Sequence, residues 1–146
     1  MKQDNNERMK KVLVGGCFDL LHFGHIEFLK KAKEQGDYLV VALESDENVR
    51  RMKGDARPIH TQAQRKAMLT ALSCVDEVIS LPTMTSDAEY AKLVTDVHPG
   101  VIAVTEGDPV IGKKQQHATT IDARVAVIPK ISTPSTSQLA KLLGLE

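Results

Sequence analysis

Tryptophan is absent, aromatic residues make up only 3% of the chain, and Cys17 and Cys74 are its two cysteines. So few aromatics argue against a platform on which single-stranded bases stack. Two cysteines make no disulfide framework, so both are expected as reduced thiols, with Cys74 in an apolar stretch that suggests core. Charge of one sign is also missing: 19 Lys and Arg balance 19 Asp and Glu, for a net charge of zero. A neutral domain lacks the positive field that draws a protein to nucleic acid. No apolar run approaches the roughly 20 residues of a membrane helix. The opening MKQDNNERMK is polar and contains acids, unlike a signal or transit peptide, so the cytoplasm is the expected location and residues 1–9 a flexible extension.

What is there fits one compact domain over residues 10–146. Of 146 residues, 42% are hydrophobic, enough for a core built from Val, Ile, Leu, Ala and Met. Short apolar runs at Val12–Val14, Tyr38–Leu43, Val78–Leu81, Val101–Val104 and Val125–Ile128 read as strands. They are continuous rather than alternating, as in parallel strands buried on both faces. Helical patterns separate them. Ile26, Leu29 and Ala32 share a face, and Gly36 can stop that helix. Capping-box pairs Thr61/Gln64, Ser86/Glu89 and Ser135/Gln138 each precede an apolar helical stripe. The strictly alternating order predicts an α/β fold: a single-domain, Rossmann-like, doubly wound five-stranded parallel sheet. Such sheets bind ligands beyond the carboxyl ends of their strands, which directs attention to the loop after the first strand.

That loop reads Gly15-Gly16-Cys17-Phe18-Asp19-Leu20-Leu21-His22-Phe23-Gly24-His25. Its glycines permit close approach of a ligand to backbone, and the helix it opens offers free N–H groups and a positive dipole end suited to phosphate. Neither GxxxxGK[ST] nor GxGxxG is present. His22 and His25, with Gly24 between them, project to one side of a helix mouth, where two imidazoles can donate to phosphoryl oxygens and stabilise charge at an attacked phosphorus. A surface or helix-capping role is the structural alternative. Zinc would need a third ligand, and His60, His98 and His117 bring no supporting motif, so no metal ligands are expected from the chain.

GGCFDLLHFGH resembles the GxFDxxHxGH signature of the cytidylyltransferase-like nucleotidyltransferases. The likeness continues through Gly36–Ala42, Lys53-Gly54-Asp55-Ala56-Arg57-Pro58 with Gln64-Arg65, Val75–Val78, and Ser135-Thr136-Ser137, spanning roughly residues 11–140. It implies transfer of a nucleoside monophosphate from ATP or CTP to a phosphorylated sugar or polyol, with release of pyrophosphate. The acceptor phosphate attacks the α-phosphorus in line, so catalysis is positioning and charge stabilisation. The Lys53–Pro58 stretch looks most like heptose 1-phosphate adenylyltransferase domains. The single-domain format and the first helix look equally like glycerol-3-phosphate cytidylyltransferase, and archaeal-type FAD synthetase acting on FMN is a third relative. A homodimer is also implied.

By the same resemblance, His22, His25, Lys53 and Arg65 form the catalytic set, with Lys53 placed in a polar loop. Arg65 lies in a first helical turn, where the dipole disfavours a cation and an anionic partner would explain it. Gly16, Cys17, Phe18 and Gly24 are expected to cradle phosphate. Glu106, Gly107 and Asp108 follow the fourth strand and are expected near base or ribose, where the Glu106 side chain would narrow the pocket or alter base choice. Ser135, Thr136 and Ser137 would cap the last helix and hold nucleotide phosphate. Asp19 either orients a histidine or caps a helix. Arg57 either binds acceptor phosphate or makes a loop salt bridge. Mg²⁺ is the expected cofactor, held mainly by the nucleotide because the sequence offers no carboxylate cage. The rival reading is a non-catalytic nucleotide-binding module on the same fold.

Overall fold

A computed structural model describes residues 10–132 and 136–144. The expected extension at residues 1–9 lies outside them. In chain order the elements are β1 (Lys11–Gly16), α1 (Phe23–Lys33), β2 (Tyr38–Leu43), α2 (Asp46–Lys53), α3 (Gln62–Thr70), β3 (Glu77–Ser80), α4 (Asp87–Val97), β4 (Val101–Thr105), α5 (Ile111–Thr120), β5 (Arg124–Ile128) and α6 (Thr136–Leu142). The strands form one parallel sheet in the order β3-β2-β1-β4-β5.

The order follows from right-handed crossovers. From β1 the chain moves outward through β2 to β3, which puts α1 and α3 on one face. It then returns across β1 to β4 and β5, which puts α4 and α5 on the other. Two cores result. One packs Leu29 and Ala32 of α1 and Leu69 of α3 on Val12, Val14, Leu39, Val41 and Leu43. The other packs Val94 and Val97 of α4 and Ala118 of α5 on Leu13, Val40, Ala42, Ile102 and Val104. Alternate residues of each strand serve opposite faces, which is why the apolar runs are unbroken. Each fully buried Val or Leu contributes roughly 1.5–3 kcal/mol of burial free energy. Cys74 is half-buried and packs against the first core, and its thiol is pushed up by burial.

Where the direction of winding reverses, the sheet splits. β1 pairs with β4 only through Val12↔Val101 and Leu13↔Ile102. Beyond that point β1 stays with β2 as far as Gly16↔Leu43, and β4 stays with β5 as far as Thr105↔Ile128. The carboxyl ends of β2 and β3 are instead tied shut: Gln62 Nε2 donates to the carbonyls of Leu43 (3.0 Å) and Leu81 (2.9 Å). The opening therefore lies between β1 and β4.

Three local expectations change. The β2–β3 crossover holds two helices, so Lys53 is the last residue of α2 rather than part of a loop. Ser45 caps α2 by accepting from the Asn48 N–H at 3.1 Å, and acids in the first turn face bases in the last. Only Asn48 and Val49 are buried in it, so it carries no apolar stripe to betray it. Gly15 and Gly16 belong to β1. Gly36 lies beyond α1, which ends at Lys33 with Glu34 as its C-cap. What demands glycine at 36 is crowding: a Cβ there would sit 2.6 Å from the Lys10 carbonyl oxygen and 2.8 Å from Val12 Cγ2.

Gly36→Ala is expected to lower unfolding free energy in urea by about 1–3 kcal/mol, since backbone must move. Gly112→Ala on α5, where a Cβ meets nothing within 4 Å, is expected to leave stability unchanged or raise it by up to about 1 kcal/mol. Equal effects at the two sites would contradict the packing.

Candidate active site

The split between β1 and β4 opens into a cavity of about 470 Å³, walled by the ends of β1 and β4, the start of α1, the end of α2 and the segment after β5. Its lining includes Gly16, Cys17, Phe18, Asp19, His22, Gly24, His25, Lys53, Arg57 and Asp108 from the sequence-derived set.

The loop from β1 to α1 is held under strain. Phe18 (φ 46°) and Leu20 (φ 54°) are left-handed, a conformation that costs a bulky residue on the order of 1–2 kcal/mol. Two anchors offset this. Phe18 is buried in the first core, against a position where any Gly16 side chain would fall 2.9 Å from its ring. Gly16 is thus needed to seat Phe18. Between the two strained residues, Asp19 is 1% exposed. Its carboxylate accepts from Arg57 Nε (2.7 Å), the Ile59 N–H (2.8 Å) and the His60 N–H (3.0 Å). Burial alone would raise this carboxyl. The Ile59 N–H, the Arg57 guanidinium and the His60 N–H more than compensate and hold it below the usual carboxylate range. Asp19 therefore fixes the 57–60 segment rather than capping α1, and Arg57 makes the buried salt bridge while still bordering the cavity.

Arg65 finds its anionic partner inside the protein. Nη2 meets Asp46 Oδ1 of α2 at 2.7 Å, Nη1 donates to the Cys17 carbonyl at 2.7 Å, and Nε donates to the His60 carbonyl at 3.0 Å. It is 1% exposed and does not border the cavity. It fastens the β1–α1 loop to α2 and α3.

The histidines are each other's caps. His22 is the N-cap of α1, and its Nδ1 accepts from the Gly24 N–H at 3.0 Å. The His22 N–H donates to Nδ1 of His25 at 3.2 Å, completing a capping box in which two imidazoles replace the usual Ser and Glu. An Nδ1 that accepts a backbone N–H carries no proton, so each neutral ring has its proton on Nε2. The rings stack with centroids 3.9 Å apart, and Phe18 tilts against His25 at 5.5 Å. Burial, then the neighbouring His22, Lys53 and Arg57 charges, push His25 down to about 4; burial also lowers His22. At neutral pH the pair is two uncharged Nε2–H donors.

Cations complete the lining. Lys53 and Lys130 have no ammonium partner among the described residues, whereas Lys114 pairs with Asp108. Lys114, on α5, was not among the expected site residues. Cys17 borders the cavity with its thiol pushed up by burial, so it is a poor nucleophile. Glu106 does not narrow the cavity; its carboxylate turns to the Lys130 N–H at 3.2 Å, bridging the loops after β4 and β5. Gly107 makes the turn at φ 84°. Ser135 lies outside the described residues, Thr136 and Ser137 begin α6, and Ser137 does not border the cavity.

A family model described as cytidylyltransferase-like matches residues 13–136. The chain belongs to the cytidylyltransferase-like family. The match runs from β1 to the start of α6 and takes in every wall of the cavity. The chain is 51% identical over 88 residues to the bifunctional protein HldE of Hydrogenovibrio crunogenus, covering 60% of this chain and 18% of that protein. It is 44% identical over 108 residues to the bifunctional protein HldE of Geobacter metallireducens, covering 71% and 21%. The chain thus spans about a fifth of the length of these relatives. A crystal structure of a lipopolysaccharide core biosynthesis protein from Thermoplasma volcanium superposes with a TM-score of 0.66 at 26% identity, covering 86% of this chain and 99% of that one. The pantoate–β-alanine ligase of Francisella tularensis, at 17% identity and a TM-score of 0.63, shares the fold. None of its described helices is long and apolar enough to cross a membrane.

Two outcomes follow from the buried groups. Arg57→Met leaves the Asp19 carboxylate buried without its cation and is expected to cost about 3–5 kcal/mol in urea denaturation. Because His25 titrates lower folded than unfolded, its contribution is complete above its ordinary 6.5 and is lost as pH falls from there towards about 4. His25→Gln keeps an acceptor for the His22 N–H, so stability measured against pH is expected to lose slope across that window, by at most about 1.4 kcal/mol per pH unit. An unchanged slope would show that His25 is not the depressed group.

Proposed function

We propose that this domain transfers a nucleoside monophosphate from a nucleoside triphosphate to a sugar phosphate at the split between β1 and β4, releasing pyrophosphate. The observation that carries the reading is the imidazole pair, fixed by backbone as Nε2–H donors within a cavity bordered also by Lys53 and Lys130, whose ammonium groups have no partner among the described residues. Donors that need no reorientation when charge develops on phosphoryl oxygens are what this transfer requires. Neutral imidazoles also leave the acceptor phosphate's negative charge free for attack.

In the proposed reaction an oxygen of the acceptor phosphate forms a bond to the α-phosphorus of the nucleotide. The bond from that phosphorus to the bridging oxygen breaks, and pyrophosphate leaves with the electron pair. His22 and His25 donate to the phosphoryl oxygens, with Lys53 and Lys130 as point charges on the leaving and attacking groups. Asp19, Arg57 and Arg65 hold the loop that presents the histidines. Among the described residues no three His, Cys, Asp or Glu side chains are grouped to hold a metal, and the cavity carboxylates Asp19 and Asp108 are both ion-paired. This donor set fits a Mg²⁺ that arrives on the triphosphate, where it would screen charge.

The acceptor we favour is a sugar 1-phosphate and the nucleotide ATP. Support comes from the Lys53–Pro58 stretch, which resembles heptose 1-phosphate adenylyltransferase domains, and from a structural neighbour named for lipopolysaccharide core biosynthesis.

The test is pyrophosphate release with Mg²⁺, crossing ATP and CTP with heptose 1-phosphate, glycerol 3-phosphate and FMN. Release is expected with ATP and heptose 1-phosphate, and His25→Ala is expected to lower kcat by about 10²–10³-fold. Release with another pair would reassign the substrate. Nucleotide binding without release from any pair would favour a binding module.

A further inference from the structure

In α2 only Asn48 and Val49 are buried, and Asn48 is the side chain that ties the helix to two other segments. Its Nδ2 donates to Glu44 Oε1, just beyond β2, at 3.0 Å and to the Met84 carbonyl, in the segment after β3, at 3.0 Å. Glu44 is 8% exposed and makes no ion pair among the described residues. Its charge is met by Asn48 and by the Tyr90 O–H of α4, which lies 2.9 Å from Oε2. A buried carboxylate is costly, and it grips its donors more tightly than a neutral acceptor would. Ser45, the cap of α2, joins the same segment by accepting from Thr83 Oγ1 at 2.9 Å.

These attachments, and the Arg65 contact to Asp46, lie in the first half of α2 or at its cap. Met52 and Lys53, which border the cavity, lie at the other end, and Arg51 Nη2 between them reaches the Met84 carbonyl only at 3.5 Å. The apolar contact of Val49 has no direction and leaves a helix free to turn about its axis. The two amide bonds of Asn48 are directional and set that rotation. The rotation matters at Lys53. A turn of roughly 30° moves a side-chain tip ~6 Å from the helix axis by ~3 Å, a full hydrogen-bond length.

We propose that Asn48 is a positioning residue: by fixing the rotation of α2 against Glu44 and Met84, it keeps Lys53 turned into the crevice. The proposal deepens the reading of Lys53 as a phosphate-binding point charge and rests on it.

Calorimetry with inorganic pyrophosphate on the full chain tests it through a double-substitution cycle. Lys53→Met is expected to weaken binding by about 10-fold to 100-fold, the loss of one charged donor. Asn48→Ala is expected to weaken it by about 3-fold to 10-fold in the parent and not at all in Lys53→Met, because residues that act through one group are not additive. A second readout needs no ligand. Burial raises the Cys17 thiol and the Lys53 ammonium opposes it, while Glu44, Arg65 and Arg57 also act on it and are common to every variant. The pH profile of Cys17 alkylation, followed on its peptide by mass spectrometry, is expected to move upward in Asn48→Ala, and no further in the double variant than in Lys53→Met. Should Asn48→Ala fail to fold, Tyr90→Phe, which frees Glu44 from α4, is read in the same way with a smaller effect. Equal weakening of pyrophosphate in both backgrounds, or a Cys17 profile that the substitution leaves in place, overturns the proposal. If pyrophosphate does not bind the parent, the transfer reading falls, and the Cys17 profile alone decides the role of Asn48.

Discussion

Everything functional in this molecule depends on two strands that part company. β1 and β4 are hydrogen-bonded for only two residue pairs before each continues with its other neighbour. The separation is a product of topology. Crossovers of one hand send the chain outward on one side of β1 and, after β3, outward on the other, so no helix covers the strand ends where the windings diverge. Gln62 closes the comparable gap between β2 and β3, where both strands belong to the same winding. The crevice thus comes from strand order, and the side chains around it only adapt it to a task.

Adapting it places a strained loop beside an opening, and buried charge is what restrains that loop. Arg57 and Arg65 are nearly inaccessible, and each gathers segments remote in sequence: Arg57 with Asp19 across 38 residues, Arg65 with the Cys17 carbonyl across 48. Such pairs are costly to desolvate and are retained only where every donor finds a partner. A planar guanidinium with several donors meets that condition in a way an ammonium does not.

Most of the architecture was legible from the amino-acid order. The unbroken apolar runs announced strands covered on both faces, and Thr61 and Ser86 cap their helices through the reciprocal pattern with Gln64 and Glu89. What escaped was α2, an eight-residue polar helix stabilised by its cap and end charges rather than by an apolar stripe. Losing it misplaced Lys53. The histidine pair stood out through its spacing, but its tautomeric state did not, because that depends on which backbone N–H groups the rings accept. Arg65 shows the limit from the other side. Its position signalled an anion correctly, yet sequence does not say whether that anion is a ligand or a neighbour, and here it is Asp46. Lys114 and Asp108 are six residues apart, and the start of α5 brings them together.

The reciprocal capping of α1 by His22 and His25 makes the proposed phosphate donors part of the scaffold. In most helices the residues that terminate the backbone and those that meet a ligand are separate, and each can drift while the other stays. Here a single substitution removes a donor and uncaps a helix at once. To keep both roles, a replacement side chain must accept a hydrogen bond at the Nδ1 position and donate one at the far edge of the ring. Few residues other than histidine do both. Fold and chemistry at the mouth of α1 therefore change together.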